Sequence, residues 1–215
     1  MVPPSTLDAI PSTAHDAPPH GMSEEEFVTW AFANDVRAEW VNGEVIVMSP
    51  VAVKHVRIAN WLNRVLGLYI ELKKLGELLG PELMVRLQPA GISRRVPDLL
   101  FVSLAKLGNV TANHLDGPPD LAIEIVSPES IARDWRDKFL EYEEAGVREY
   151  WIIDPTSETF EASVLNADGK FAKVALDANG VLHSATVPGF WFKPEWFFLA
   201  ELPDATQHLR DLGVI

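Results

Sequence analysis

Two periodicities divide the chain. From Val53 to about Gly76, His55, Ile58, Ala59, Leu62, Val65, Leu66 and Tyr69 recur at helical spacing and predict one long amphipathic helix. Ahead of it, MSEEEFVTWAF predicts a short helix with Ser23 as N-cap and Glu26 closing a capping box. RAEWVNGEVIVMSP alternates on either side of Asn42-Gly43, the pattern of a hairpin with a type I′ turn, and Pro50 ends its second strand. After Gly80-Pro81, the segments ELMVRLQ and VPDLLFVS read as strands joined by a turn-like PAGISRR. Residues 104–119 read as a polar connection ending in GPP.

The strand DLAIEIVS is followed by a helix from about Ser130 to Ala145, stopped by Gly146. EYWIIDP is a compact strand closed by Asp154-Pro155, and TFEASVL and FAKVALD are two more, joined by NADGK. The late, aromatic-rich LHSATVPGFWFKPEWFFLAEL is expected to pack across the domain. This order implies an α/β domain with a mixed sheet. With no internal repeat or second boundary, residues 21–215 are expected to form one domain. Residues 1–20 hold five of the sixteen prolines and no Lys or Arg, and read as a disordered arm.

Composition narrows the function. At 47% hydrophobic and 23% charged residues, the 215-residue chain is that of an ordinary soluble protein. The absence of Cys excludes disulfides, thiolate catalysis and Cys-based zinc sites. The six His residues show no zinc spacing, and no serine lies in a nucleophile-elbow pattern. No signal-like start and no membrane-length apolar run is present, so a cytoplasmic location is expected and no membrane partner. A net charge of −13 weighs against phosphate binding. Arg86, Arg94 and Arg95 ahead of one acidic motif, and Arg133, Arg136 and Lys138 after another, leave room for local basicity.

The candidate chemistry starts at Glu124, a carboxylate between Ile123 and Ile125 in a strand where it shares a face with Ala122 and Val126. Asp98 opens another strand directly after Pro97. Lys138 falls in a helical stripe with Ile131, Trp135 and Tyr142. Each has an ordinary explanation alone: a solvent-facing or paired Glu, Pro-Asp turn chemistry, and a snorkelling Lys or one paired with Asp134. Together their needs are complementary. A helix directly after a strand lets a lysine about two turns in reach back over that strand. Two carboxylates on neighbouring strands beside a lysine make an oxygen-rich site of the kind Mg²⁺ occupies, able to activate water and neutralise phosphoryl charge.

PDLLFV, then PDLAIEIVSPES, then D-x-x-x-K-F-x-x-Y-x-x-A-G-V-x-E-Y-W-I-I-D-P resemble the Uma-type putative restriction endonuclease family, a bacterial domain long of unknown function within the PD-(D/E)XK nuclease superfamily. NGEVIVMSP, His55 and VPGFWFKPEWFF extend the similarity over roughly residues 22–200. The resemblance implies a restriction-endonuclease-like fold: a mixed central β-sheet flanked by helices, with an N-terminal hairpin and extra C-terminal strands. It implies a hydrolase cutting DNA phosphodiesters with Mg (or Mn). Asp98 and Glu124 would be metal carboxylates, and the Ile125 backbone carbonyl a third ligand. The superfamily lysine usually lies two residues after the Glu. Here that position is Val126, and the resemblance assigns the role to Lys138.

Glu44 matches the acidic residue that the superfamily supplies from its N-terminal part, with an exposed turn Glu as the equal alternative. His55 and Asp120 are accessory candidates, each with a structural alternative, and Asp154 is turn chemistry. A homodimer is expected by analogy with nucleases that cut both strands. The rival class is a catalytically silent nuclease-fold module that binds or regulates, which the acidic balance favours. A metal-dependent hydrolase of a smaller phosphate ester is a third.

Overall fold

The computed structural model describes residues 20–48, 50–87, 93–126 and 133–215, with backbone alone for 133–135. The proline-rich arm, most of PAGISRR and the Ser127-Pro128 step with the start of the following helix lie outside the described residues.

Helix α1 (Glu24–Asn34) starts at the expected capping box: Ser23 accepts from the Glu26 amide, and Glu26 accepts from the Ser23 backbone. Strands β1 (Ala38–Val41) and β2 (Glu44–Val47) form the expected hairpin, and Asn42 and Gly43 both take positive φ, as a type I′ turn requires. Helix α2 spans Val53–Leu72 and buries His55, Ile58, Leu62, Val65, Leu66 and Tyr69 along the predicted stripe.

The predicted helix end is corrected. Lys74 adopts a left-handed φ of 54°, and Gly76–Leu79 is a strand, β3, antiparallel to β6 (Leu99–Ser103). Gly76 permits this pairing, because a Cβ there would stand 2.0 Å from the Val102 carbonyl oxygen at a φ of +152°. We expect Gly76→Ala to cost at least about 2 kcal/mol in urea unfolding. A wild-type midpoint would show that β3 is not held so closely.

The turn-like stretch before Val96 also becomes a strand in part. β5 (Ser93–Arg95) lies between β1 and β4 (Met84–Leu87). Within the predicted polar connection, β7 (His114–Asp116) pairs in parallel with β4. Four more strands are β8 (Leu121–Ile125), β9 (Glu149–Asp154), β10 (Thr159–Leu165) and β11 (Phe171–Lys173). A final pair is β12 (Leu182–His183) with β13 (Trp191–Phe192).

The strands form two principal sheets. The central one is mixed, in the order β11-β10-β9-β8-β6-β3, with β8 and β9 parallel and its other pairs antiparallel. The other runs β2-β1-β5-β4-β7. Both faces of the central sheet are buried. Leu121, Ile123 and Ile125 pack toward α2 and the C-terminal aromatics Phe190, Phe192 and Phe197. Ala122 and Val126 pack on the opposite side with Tyr142 and Tyr150. A strand covered on both faces leaves no solvent-facing position for Glu124, which rules out the solvent-exposed reading of that residue.

After β8, the backbone forms a π-helical stretch, Arg133–Lys138, that runs into α3 (Phe139–Ala145) and ends at left-handed Gly146. Over Arg133–Lys138 the predicted single α-helix is therefore wound more widely. Helix α4 (Ala205–Asp211) closes the chain against α2, with His208 stacked on Trp61. No helix among the described residues is long and apolar enough to cross a membrane.

Candidate active site

Strand pairing accounts for how the two predicted carboxylates meet. In the β6–β8 register Leu99 lies opposite Ile123, and one further step sets Asp98 opposite Glu124. Both are buried, with relative exposures of 6% and 3%. The Asp98 Oδ2 accepts from the Ile125 amide at 2.8 Å, tying the two strand ends together.

The positive partner is Lys138, itself only 1% exposed. Its Nζ lies 2.8 Å from Glu124 Oε1 and 3.0 Å from Glu39 Oε1. The snorkelling alternative is excluded, because the ammonium is inside. The Tyr142 hydroxyl donates to the same Glu124 oxygen at 2.9 Å, so two consecutive inward positions of one helix converge on one carboxylate. Burial drives the Tyr142 hydroxyl well above its usual pKa, and the neighbouring Glu124 charge adds to this, so it stays protonated as a donor.

Glu39 was not among the sequence candidates. It lies in β1, fully buried, and accepts from Lys138, from the Val96 amide at 3.2 Å and from Arg95 Nη1 at 2.9 Å. Burial alone would raise its pKa. The charges of Lys138 and Arg95 and the hydrogen bonds outweigh that and bring it down to about 2. Arg95, at the end of β5, also forms a fork with both oxygens of Glu141 at 2.6 and 2.8 Å. The chain of charges Glu124–Lys138–Glu39–Arg95–Glu141 thus joins the two sheets to α3. The signal for Glu39 was present: it sits between Ala38 and Trp40 as Glu124 sits between Ile123 and Ile125.

His55, in the first turn of α2, reaches Asp98 Oδ1 with Nε2 at 3.2 Å, and Arg37 reaches the same oxygen with Nη2 at 3.3 Å. Burial pushes the Asp98 pKa up, but His55, the Ile125 amide and Lys138 together hold it below the usual carboxylate value. A cavity of about 130 Å³ lies beside this group, lined in part by Arg37, His55, Asp98, Asn60 and Asn63. Two buried nitrogens of these residues, Arg37 Nε and His55 Nδ1, have no hydrogen-bond partner among the described residues.

The remaining candidates stand apart. Glu44 is exposed at the hairpin end, opposite Val41, and among the described residues it makes no ion pair or side-chain hydrogen bond. Asp120, at the other end of β8, accepts from the Ser103 amide at 2.8 Å and pairs with Lys106 at 3.2 Å, so it fixes the strand start. Asp154 accepts from the Thr156 and Ser157 amides, as turn chemistry requires. The expected local basicity ahead of Asp98 is spent internally: Arg86 and Arg94 both bind Glu24, at 2.7 and 2.8 Å.

The mixed sheet flanked by helices has a counterpart among solved structures. A crystal structure of a putative nuclease belonging to DUF820, from Anabaena variabilis, is similar to this chain, with a TM-score of 0.62 and 17% identity over 75% of this chain and 89% of that one. The family model described as Uma2, putative restriction endonuclease, matches residues 24–196, and the chain belongs to that family. No curated protein matches it.

Proposed function

We propose that the protein is a divalent-metal-dependent endonuclease that hydrolyses DNA phosphodiesters at the Asp98–Glu124–Lys138 site. The convergence of these three side chains, distant in sequence, is the observation that carries the reading. Among the described residues no three His, Asp or Glu side chains group tightly enough to hold an ion by themselves. The donor chemistry nonetheless fits a hard cation that keeps several waters: two carboxylates from adjacent strands, with Asp98 held ionised. Asp98, Glu124 and the Ile125 carbonyl would hold Mg²⁺ or Mn²⁺. Bound there, the ion supplies Lewis-acid neutralisation of phosphoryl charge and a more acidic water.

The chain's own groups do the rest. Lys138 presents a fixed ammonium beside Glu124, where it orients the attacking water or offsets developing charge. Tyr142 and Glu39 hold that ammonium and carboxylate in register. Arg37 and His55 fix Asp98. Glu44 is left a role only through solvent.

Supercoiled plasmid incubated with the protein and Mg²⁺ or Mn²⁺ is expected to give nicked and linear forms, and EDTA to stop the reaction. Intact plasmid together with intact single-stranded circular DNA, with both metals, would end this reading. The silent-module alternative draws on Arg86, Arg94 and Arg95 being neutralised by internal partners. Calorimetry separates the two: the enzyme should bind Mn²⁺ in a way that Glu124→Gln weakens, and a silent module should not.

A further inference from the structure

Helix α2 and the two residues after it, 53–74, carry five cations, Lys54, Arg57, Arg64, Lys73 and Lys74, against one acid, Glu71. The whole chain carries −13, so positive charge is concentrated on this element. Three of the five, Lys54, Arg57 and Arg64, share one wall of a groove of about 760 Å³. The rest of its lining comes from residues 197–202, among them Phe198, Leu199 and Glu201. Among the described residues Arg57 and Arg64 make no ion pair, and Arg64 spends only Nε, on the Asn60 carbonyl at 3.3 Å. Lys54 is partly committed, donating to the Pro155 carbonyl at 3.0 Å and pairing with Glu158 at 3.6 Å, with its ammonium 5.9 Å from the Phe198 ring centre. Asn60 lines both this groove and the small cavity beside Asp98, so the two adjoin.

We propose that this groove binds a single-stranded segment of nucleic acid and leads it to the Asp98 cleft. The inference rests on the reading of the protein as a nuclease and adds the strandedness of its substrate. The division of the groove argues for it. The α2 side offers two guanidinium groups seven residues apart, a spacing that sets them on one face of the helix. The other side, residues 197–202, offers apolar surface, with Leu199 at 53% exposure. Unpaired bases present flat apolar faces to such a wall, whereas a duplex turns those faces inward and shows only phosphates to it. Glu201 beside the apolar wall also disfavours a second phosphate strand on that side.

The test is fluorescence anisotropy with a labelled 20-nucleotide single strand and the same sequence as a blunt duplex, in EDTA so that nothing is cut. The wild-type protein should bind the single strand at least tenfold more tightly than the duplex. About three phosphate contacts give a slope of log K against log salt near −2. Arg57→Gln with Arg64→Gln should weaken single-strand binding at least tenfold and cut that slope to under about −1. Leu199→Ser should weaken binding and leave the slope unchanged. Both sites are exposed, and matching thermal melts would confirm that the variants fold.

Duplex preference, or unchanged binding by the double variant, overturns the groove. If that double variant binds as the wild type does and the protein still cuts plasmid, the nuclease reading stands without the groove. Binding that depends on Arg57 and Arg64 in a protein that never cuts upholds the surface and ends the nuclease reading.

Discussion

Lys138→Met should lower stability by about 3–5 kcal/mol at pH 7, because it leaves two buried carboxylates without their shared cation. Methionine keeps most of the stem's packing, so the loss reports on charge. In the wild-type protein Glu39 is held at about 2, below its ordinary 4.5. A lowered carboxyl contributes stability that is present above pH 4.5 and lost as pH falls through about 2, on the order of 3 kcal/mol for this group. In the variant the sign for this cluster reverses. With the ammonium gone, burial works against the charge on Glu124 and, opposed by the remaining pull of Arg95, on Glu39, so acid restores part of what the lysine supplied. Urea unfolding at pH 7 and pH 4.5 should therefore show a deficit that shrinks in acid. A deficit of equal size at both values, or none at pH 7, would mean that the pairs contribute little.

The second large effect is on catalysis. Asp98→Ala and Glu124→Ala should each reduce plasmid cleavage by two or more orders of magnitude, since each removes charge stabilisation of several kcal/mol. Glu39→Gln should reduce it by roughly tenfold, acting through the position of Lys138, with each tenfold step equal to about 1.4 kcal/mol of barrier. Glu44→Gln, at an exposed hairpin position, should stay within about threefold of wild type. Initial rates on plasmid, with circular dichroism to confirm folding, decide the matter. Cleavage that survives both alanine variants would place the chemistry elsewhere, and a large loss at Glu44 would restore it as a participant through water.

Local signals were read correctly wherever a segment's own chemistry fixes it. The Ser23–Glu26 box, the Asn42-Gly43 turn and the stripe of α2 need no distant partner to be recognised. The short strands β3, β5 and β7 escaped because three or four residues carry too little alternation, and their pairing partners lie far along the chain. Gly76 illustrates the difference: its glycine is required by Val102 and Ser103, which no nearby residue announces.

The candidate site divides along the same line. Sequence alone determined that Glu124 is a carboxylate among branched apolar residues, that Asp98 enters a strand after proline, and that Lys138 lies on an inward stripe. It also yielded the family, through the motifs that these residues sit in. Only the tertiary structure decided that Lys138 serves two carboxylates, that the second is Glu39, and that Arg95 is a buried connector and not part of a basic surface. The reason is electrostatic. A charge buried in a strand must find an opposite charge within a few ångströms, but which residue supplies it depends on how the sheets and α3 stack. The sequence pattern exposes the need for a partner, and the packing of distant elements selects it.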